Sequence, residues 1–341
     1  MSGKGWSLFA VMSVLWGVPY LFIRVAVHEV DPVFVTFARV GIAALVLLPV
    51  ALHRAVMSRL RGRWAAITVL ALVQIVGPFT LIGIAEQHVS SSLASLLIAA
   101  DPLLVAVFAI WLDRSERVTG GRMVGLLVGL VGVLLLLGFD VGGDARVLFG
   151  AALVVLAAAG YAAGALMLKR PTYASLPSLG VVTAECAIAT VVIAPFAAFR
   201  VPSHVPSLEV VGSLVGLGVL CTALAWLAFF ALITEVGASR GTVFTYVNPA
   251  VAVVLGVVLL DEPVTAWTAA GFLLIVLGSW LSTGGRPPTA LPGGLTGRRR
   301  GERRIPPAAA ADFLGVPATG PSAGTFLPPR WMAAPIRRIT T

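Results

Sequence analysis

Residues 208–233 read Leu-Glu-Val-Val-Gly-Ser-Leu-Val-Gly-Leu-Gly-Val-Leu-Cys-Thr-Ala-Leu-Ala-Trp-Leu-Ala-Phe-Phe-Ala-Leu-Ile, and after Glu209 no charged side chain interrupts them. A helix needs about 20 apolar residues to cross the hydrocarbon core of a bilayer. A barrel strand would instead alternate apolar and polar residues over about 10 positions. This stretch is too long and too uniform for a strand, so it reads as a membrane-spanning helix.

The rest of the chain agrees. It is 58% hydrophobic and 11% charged, with a mean hydropathy of +0.98. A soluble domain carries about a quarter charged residues, so this chain needs lipid as its solvent. The expected fold is an all-α membrane protein with ten transmembrane helices. Their expected ranges are 5–25, 32–52, 64–85, 91–112, 122–139, 148–168, 179–199, 208–233, 240–260 and 265–283. The first, flanked by Lys4 and without an obvious small-residue cleavage site, reads as a retained helix.

The formal charge of +9 does not point to nucleic acid. Nine Arg against Glu302 and Asp312 place most of the excess in residues 284–341. That Pro- and Arg-rich segment reads as a disordered cytoplasmic tail. Contact of Arg298, Arg299, Arg300, Arg303 and Arg304 with anionic lipid is a second reading of it. Cationic side chains in short loops face the cytoplasm. Arg54, Arg59, Arg61 and Arg63, then Arg114, Arg117 and Arg122, then Lys169 and Arg170 fall on one side, so both termini are expected inside.

A repeat underlies the ten spans. Asp101–Pro102 and Asn248–Pro249 stand mid-helix in spans 4 and 9. Glu116–Arg117–Val118–Thr119 matches Glu262–Pro263–Val264–Thr265, and Gly125, Gly132, Pro49 and Val89 match Gly271, Gly278, Pro195 and Val236. The offset stays at 146 or 147 residues. Five helices per unit is an odd number, so the halves insert with opposite orientation. Inverted repeats around a midplane site recur among transporters. The expected domains are residues 1–139, residues 148–283 and the tail 284–341.

Enzyme chemistry finds few footholds. Cys186 and Cys221 lie in apolar runs, and His28, His53, His88 and His204 are not spaced as metal ligands. No phosphate-binding Gly-Lys-Ser/Thr loop is present. Neither a metal nor a cofactor is expected. The expected partners are a small-molecule substrate and the lipid bilayer, and the oligomeric state is not legible.

A polar group at mid-span costs roughly 2.5–3.5 kcal/mol on insertion scales unless it faces water or a partner. Counted along the spans, Trp16, Gln74, Asp101, Tyr161, Tyr246 and Asn248 fall near one depth and form the expected substrate chamber. Asp101 either meets a substrate amine and carries a proton, or is a protonated acid bonded to Asn248 across the repeat. The aromatic residues either line the chamber or pack, and Gln74 either binds solute or joins two helices. Glu185 is a second proton-coupling candidate. Its counterpart Arg39 stands at a different depth and is expected to pair with a carbonyl or an unassigned acid. Pro102 and Pro249 are expected helix kinks that free backbone carbonyls. Arg24, Glu86, Lys169 and Glu235 stand near the membrane edges and read as solvated or snorkelling. A mid-depth set with Asp101 and no Lys favours a zwitterionic, cationic or neutral solute over an organophosphate.

Leu15–Trp16–Gly17, Phe37–Ala38–Arg39, the mid-helix Pro102 and Pro249, and Leu260–Asp261–Glu262–Pro263–Val264–Thr265 together resemble the EamA-type branch of the drug/metabolite transporter superfamily. The resemblance covers residues 5–283. It implies two inverted five-helix repeats around a central cavity, no ATPase, and transport, by efflux first, of amino acids, nucleosides, sugars or drug-like compounds. Amino acids or derivatives are the first expectation and drug-like amines the second. Tyr161, where relatives often carry Trp, and Asp101 before its proline depart from the family pattern. A lipid or lipid-sugar flippase of the same fold and a lipid-modifying membrane enzyme are the competing expectations.

Overall fold

The computed structural model describes residues 2–112, 120–139, 144–237 and 242–282. In chain order its main helices are α1 (Gly3–Ala26), α2 (Pro32–His53), α3 (Trp64–Ala85), α4 (Ser91–Phe108), α5 (Gly121–Phe139), α6 (Ala145–Leu168), α7 (Ser178–Ala198), α8 (Leu208–Val236), α9 (Asn248–Leu260) and α10 (Ala266–Ser282). Seven of them, α1–α4 and α6–α8, are long and apolar enough to cross a membrane. The apolar stretches at α5, α9 and α10 are shorter: Met123–Leu136, Phe244–Leu260 and Ala266–Ser282. Residues 284–341 and the Glu116–Thr119 stretch lie outside the described residues.

Local chemistry sets the helix starts. Side-chain oxygens of Asp31, Ser90, Asp144 and Ser207 accept from the backbone N–H groups of Val33, Leu93, Arg146 and Val210. Each occupies an N–H that the helix leaves without a partner. Pro32 takes the first position of α2, where its missing N–H costs nothing.

Irregular turns sit inside the bundle. In α3 a wide π turn spans Leu72–Val76, just ahead of Pro78. Proline offers no N–H to the carbonyl four residues back, here that of Gln74, and its ring crowds it. The widened turn absorbs both effects. A second π turn spans Val219–Leu224 in α8, where no proline follows. Leu72 and Val219, which open the two turns, carry the same 147-residue offset as Pro102 and Pro249.

In α4 and in the stretch before α9 the helix is interrupted just ahead of each proline. The helix of α4 stops at Ile98 and restarts at Asp101, with Ala99 and Ala100 in a tightened turn. A 3-10 turn at Thr242–Tyr246 leads to a fresh start at Asn248. Pro102 and Pro249 are therefore second residues of new helical segments, not bends in continuous ones.

α5 lies along α10, α2 along α7, α3 against α6, α1 against α8, and α4 against both α9 and α6. Glycine makes the tightest of these contacts. A Cβ on Gly278 would overlap the backbone of Gly129, and one on Gly132 would lie 2.7 Å from the Gly271 carbonyl. Leu45 and Val191 are 74% and 73% exposed, whereas Arg39, Glu86 and Glu185 are buried. Apolar outside and ionisable inside is the pattern of a chain whose surroundings are lipid.

Candidate functional site

Five helical elements bring ionisable and phenolic groups together at the broken turn of α4. The charges of Arg39 on α2 and Asp101 on α4 both act on the Tyr161 hydroxyl of α6. Those two charges and that of Glu86, one residue past α3, also act on the Tyr20 hydroxyl of α1. Tyr20 and Tyr161 pack in one cluster with Ile98, the last residue before the break. One Asp101 carboxylate oxygen is buried without a hydrogen-bond partner. Gln74 stands in the π turn of α3, packed against Gly164 of α6, and its amide oxygen is likewise buried and unpartnered.

Arg39 is 7% exposed. Its Nε donates to the Thr222 hydroxyl at 3.0 Å, and its guanidinium carbon lies 3.7 Å from the centre of the Phe79 ring. Thr222 in turn donates to the Leu217 carbonyl at 2.8 Å within the π turn of α8. No carboxylate lies within 4.0 Å of Arg39 among the described residues. The expected acid or carbonyl partner is thus replaced by a hydroxyl and an aromatic face. The guanidinium lies within electrostatic reach of Tyr161 and Tyr20, so a cationic side chain joins the phenolic and acidic groups gathered there. The lack of Lys in the mid-depth set therefore does not disfavour a solute with an acidic group.

The remaining expected residues form a second group. Trp16 packs against Trp226, Phe229 and Phe244, with ring centres 5.2, 5.3 and 5.3 Å away. This is an aromatic core between α1, α8 and the turn before α9. With its amide nitrogen turned inward, Asn248 donates to the Phe244 carbonyl at 3.0 Å and the Ser13 carbonyl at 3.3 Å. It ties α9 to α1 and does not meet Asp101. Gly17 serves the same junction, because a Cβ there would stand 2.7 Å from Val251 and 2.9 Å from the Asn248 carbonyl. Tyr246 is half-buried in the turn ahead of Asn248.

Glu185 on α7 is 1% exposed, and one of its oxygens lacks a partner. Its charge reaches Tyr173, beyond α6, whose hydroxyl donates to the Ala66 carbonyl at the start of α3. Glu185 thus lies toward the other end of the bundle from Glu86.

Glu86 overturns an expectation. It is fully buried, not solvated at an edge, and both carboxylate oxygens lack partners. Burial pushes its carboxyl well above the usual carboxylate range, with Arg24 opposing that shift and Glu262 reinforcing it. Depth along a helix said nothing of the neighbours that cover this residue. Arg24 spends its guanidinium NH1 on the Glu86 backbone carbonyl.

Glu262 ties the two halves together through three donors. Its carboxylate accepts from the backbone N–H groups of Ser91 at 2.7 Å and Ser92 at 2.9 Å, and from the Ser92 hydroxyl at 2.5 Å. A carboxylate at a helix N-terminus is favoured by the free N–H groups and the helix dipole. At the same end Arg200 meets Asp31 at 2.8 Å, and Ser207 N–H donates to Glu29 at 2.9 Å. At the opposite end Ser2 donates to Glu235 at 2.7 Å, with Lys4 3.6 Å from the same carboxylate.

Known proteins place this architecture. The model of the EamA-like transporter family matches residues 3–138 and again 148–284. The uncharacterized transporter YvbV of Bacillus subtilis is 29% identical over 271 residues, 79% of this chain and 88% of that protein. The uncharacterized inner membrane transporter YedA of Escherichia coli K12 is 28% identical over 286 residues, 81% of this chain and 91% of that one. One crystal structure at 22% identity superposes with a TM-score of 0.59, over 83% of this chain and 97% of its own, and so shares the fold. With a family match in each half and seven helices fit to span a bilayer, the chain is a multi-pass membrane protein that belongs to the EamA-like transporter family.

Proposed function

We propose that the chain is a secondary carrier that moves small zwitterionic solutes, amino acids or their derivatives, by alternating access. The observation that carries this reading is the pairing of Arg39 and Asp101 around one hydroxyl. Arg39 is buried and Asp101 is half-buried with one carboxylate oxygen fully covered, both lie within electrostatic reach of Tyr161, and among the described residues neither is neutralised by an ion pair. An isolated charge in a low-dielectric interior is costly, so a site that keeps two opposite ones suits a ligand bringing both partners. The guanidinium fork suits a carboxylate, and Asp101 suits an ammonium. Tyr20, Tyr161 and Gln74 supply directional hydrogen bonds. Trp16, Asn248 and Tyr246 bound this chamber through the α1–α9 junction.

The two-state movement rests on ten spans arranged as two inverted halves, residues 1–139 and 148–283, with both termini cytoplasmic. Exchanging each helix of the first half with its partner five helices on leaves the set of main contacts unchanged. The pairs α5–α10, α2–α7 and α4–α9 map onto themselves, and α3–α6 maps onto α8–α1. The matched π turns and proline restarts obey the same exchange. Export is the proposed direction.

The test is a resistance screen in cells overproducing the chain, against toxic amino acids, their amides and amine drugs, followed by counterflow in proteoliposomes. Protection and exchange limited to molecules with both a carboxylate and an amine support the reading. Exchange of amines alone, or of a lipid, would replace it.

A further inference from the structure

We propose that Glu86 is a proton-binding site locked by the Glu262 contact: it holds one proton while Glu262 caps α4, and releases it at that end of the bundle when Glu262 withdraws. The proposal rests on the carrier reading and names a coupling ion and a route that reading leaves open.

Glu86 is 0% exposed, and neither carboxylate oxygen has a hydrogen-bond donor. An ionised carboxylate in that position has lost its hydration and gained nothing in return. Several elements surround it. From α1, the Arg24 guanidinium is near but donates to the Glu86 backbone carbonyl, and the Tyr20 hydroxyl lies within electrostatic reach of the carboxyl. Arg39 of α2 acts on it from farther off and is already bonded to Thr222. Asp31 at the start of α2 is engaged by Arg200. From α6, the face against Ala85 and Val89 presents Gly150, Ala151 and Val154, which do not titrate. From the turn before α10 comes Glu262, a second negative charge, which favours the neutral form of Glu86.

The two carboxylates therefore differ in kind. The Glu262 carboxylate is held by three donors at the start of α4. Glu86, which precedes that start by a few residues, is held as the acid. When Glu262 leaves, the N–H groups of Ser91 and Ser92 are freed and water reaches the buried pocket. The step is Glu86–COOH + H2O giving Glu86–COO− and H3O+. The carboxylate left behind is stabilised by water, by the freed N–H groups and by Arg24 beside it. Rebinding of a proton restores the neutral form that the closed contact requires.

The test needs no solute. The full-length protein in liposomes is treated with dicyclohexylcarbodiimide, which modifies buried protonated carboxyls, and labelling at Glu86 is read by mass spectrometry between pH 6 and 8. The wild type is expected to label at Glu86 across this range, equally in sodium and choline chloride. Glu262→Gln is expected to label about tenfold more slowly at pH 8, the factor for losing one hydrogen bond to a charged group. Ser92→Ala, which keeps both backbone donors, is expected to fall between the two and guards against misfolding of the first variant. An unlabelled Glu86 in the wild type, or equal labelling in all three proteins, overturns the proposal. So does protection by sodium, which would make the site a sodium site. A protein that labels as described yet exchanges no amino acid would fail the carrier reading alone.

Discussion

Replacing Arg39 by Gln removes the guanidinium charge at similar length. If Arg39 receives the solute's carboxylate, the variant loses two charge-assisted hydrogen bonds, each worth about 1.5–3 kcal/mol. The smaller figure alone gives about 3 kcal/mol, or roughly 100-fold in affinity. The structure sharpens this into a difference measurement. The wild type prefers an amino acid over its uncharged amide by about that factor, and Arg39→Gln erases the preference by weakening the acid and sparing the amide. Asp101→Asn does the reverse: it weakens every ammonium ligand and leaves the acid-over-amide ratio unchanged. Competition against a radiolabelled solute in proteoliposomes reads both ratios. Loss of the Nε contact with Thr222, 3.0 Å long in the wild type, lowers stability in the same variant, so ratios within each protein are the quantity to compare. An acid-over-amide ratio unchanged in Arg39→Gln, with the protein inserted normally, would refute the assignment of the carboxylate to Arg39.

Other consequences are open to direct measurement. Thr222→Val takes away the acceptor of a buried charged donor, at a cost of about 1–3 kcal/mol, and lowers the apparent melting temperature in detergent. Thr222→Ser restores it. Gly278→Leu drives a side chain into the Gly129 backbone, where overpacking costs about 1–3 kcal/mol or more, and so separates α5 from α10. Size-exclusion profiles should show loss of monodisperse protein, while Gly212→Leu, with open space around its Cβ position, leaves them unchanged. Deletion after Gly285 leaves transport intact, because the removed residues contain no apolar span. Loss of activity in a well-expressed truncation would contradict that.

Hydropathy carried the helices well. The expected ranges 32–52 and 64–85 meet Pro32–His53 and Trp64–Ala85, because burial in lipid demands long unbroken apolar runs. The interruptions were less legible. Pro78 was a signal for the π turn of α3, but nothing of that kind marks the turn at Val219–Leu224. Counting residues along a helix gives depth and not direction around the axis. Trp16 and Asn248 share a depth with Asp101 yet face the α1–α9 junction, and only the fold separates the two groups. Tyr20 stands among apolar neighbours that mask it in the sequence, and the expectation of a carbonyl or acid for Arg39 did not foresee the Thr222 hydroxyl and the Phe79 face. Glu86 looked like an edge residue, and its burial comes from α1, α6 and the turn before α10, all distant in sequence.

The most direct test of the account asks whether water reaches the Arg39–Asp101–Tyr161 cluster from each side in turn. Tyr161→Cys in a background with Cys186 and Cys221 replaced by Ala supplies a single thiol for a membrane-impermeant maleimide. Labelling from either face of sealed, oriented vesicles, slowed by a transported amino acid, is the predicted result. A thiol that stays unreactive from both faces, in protein that still exchanges solute, would contradict it.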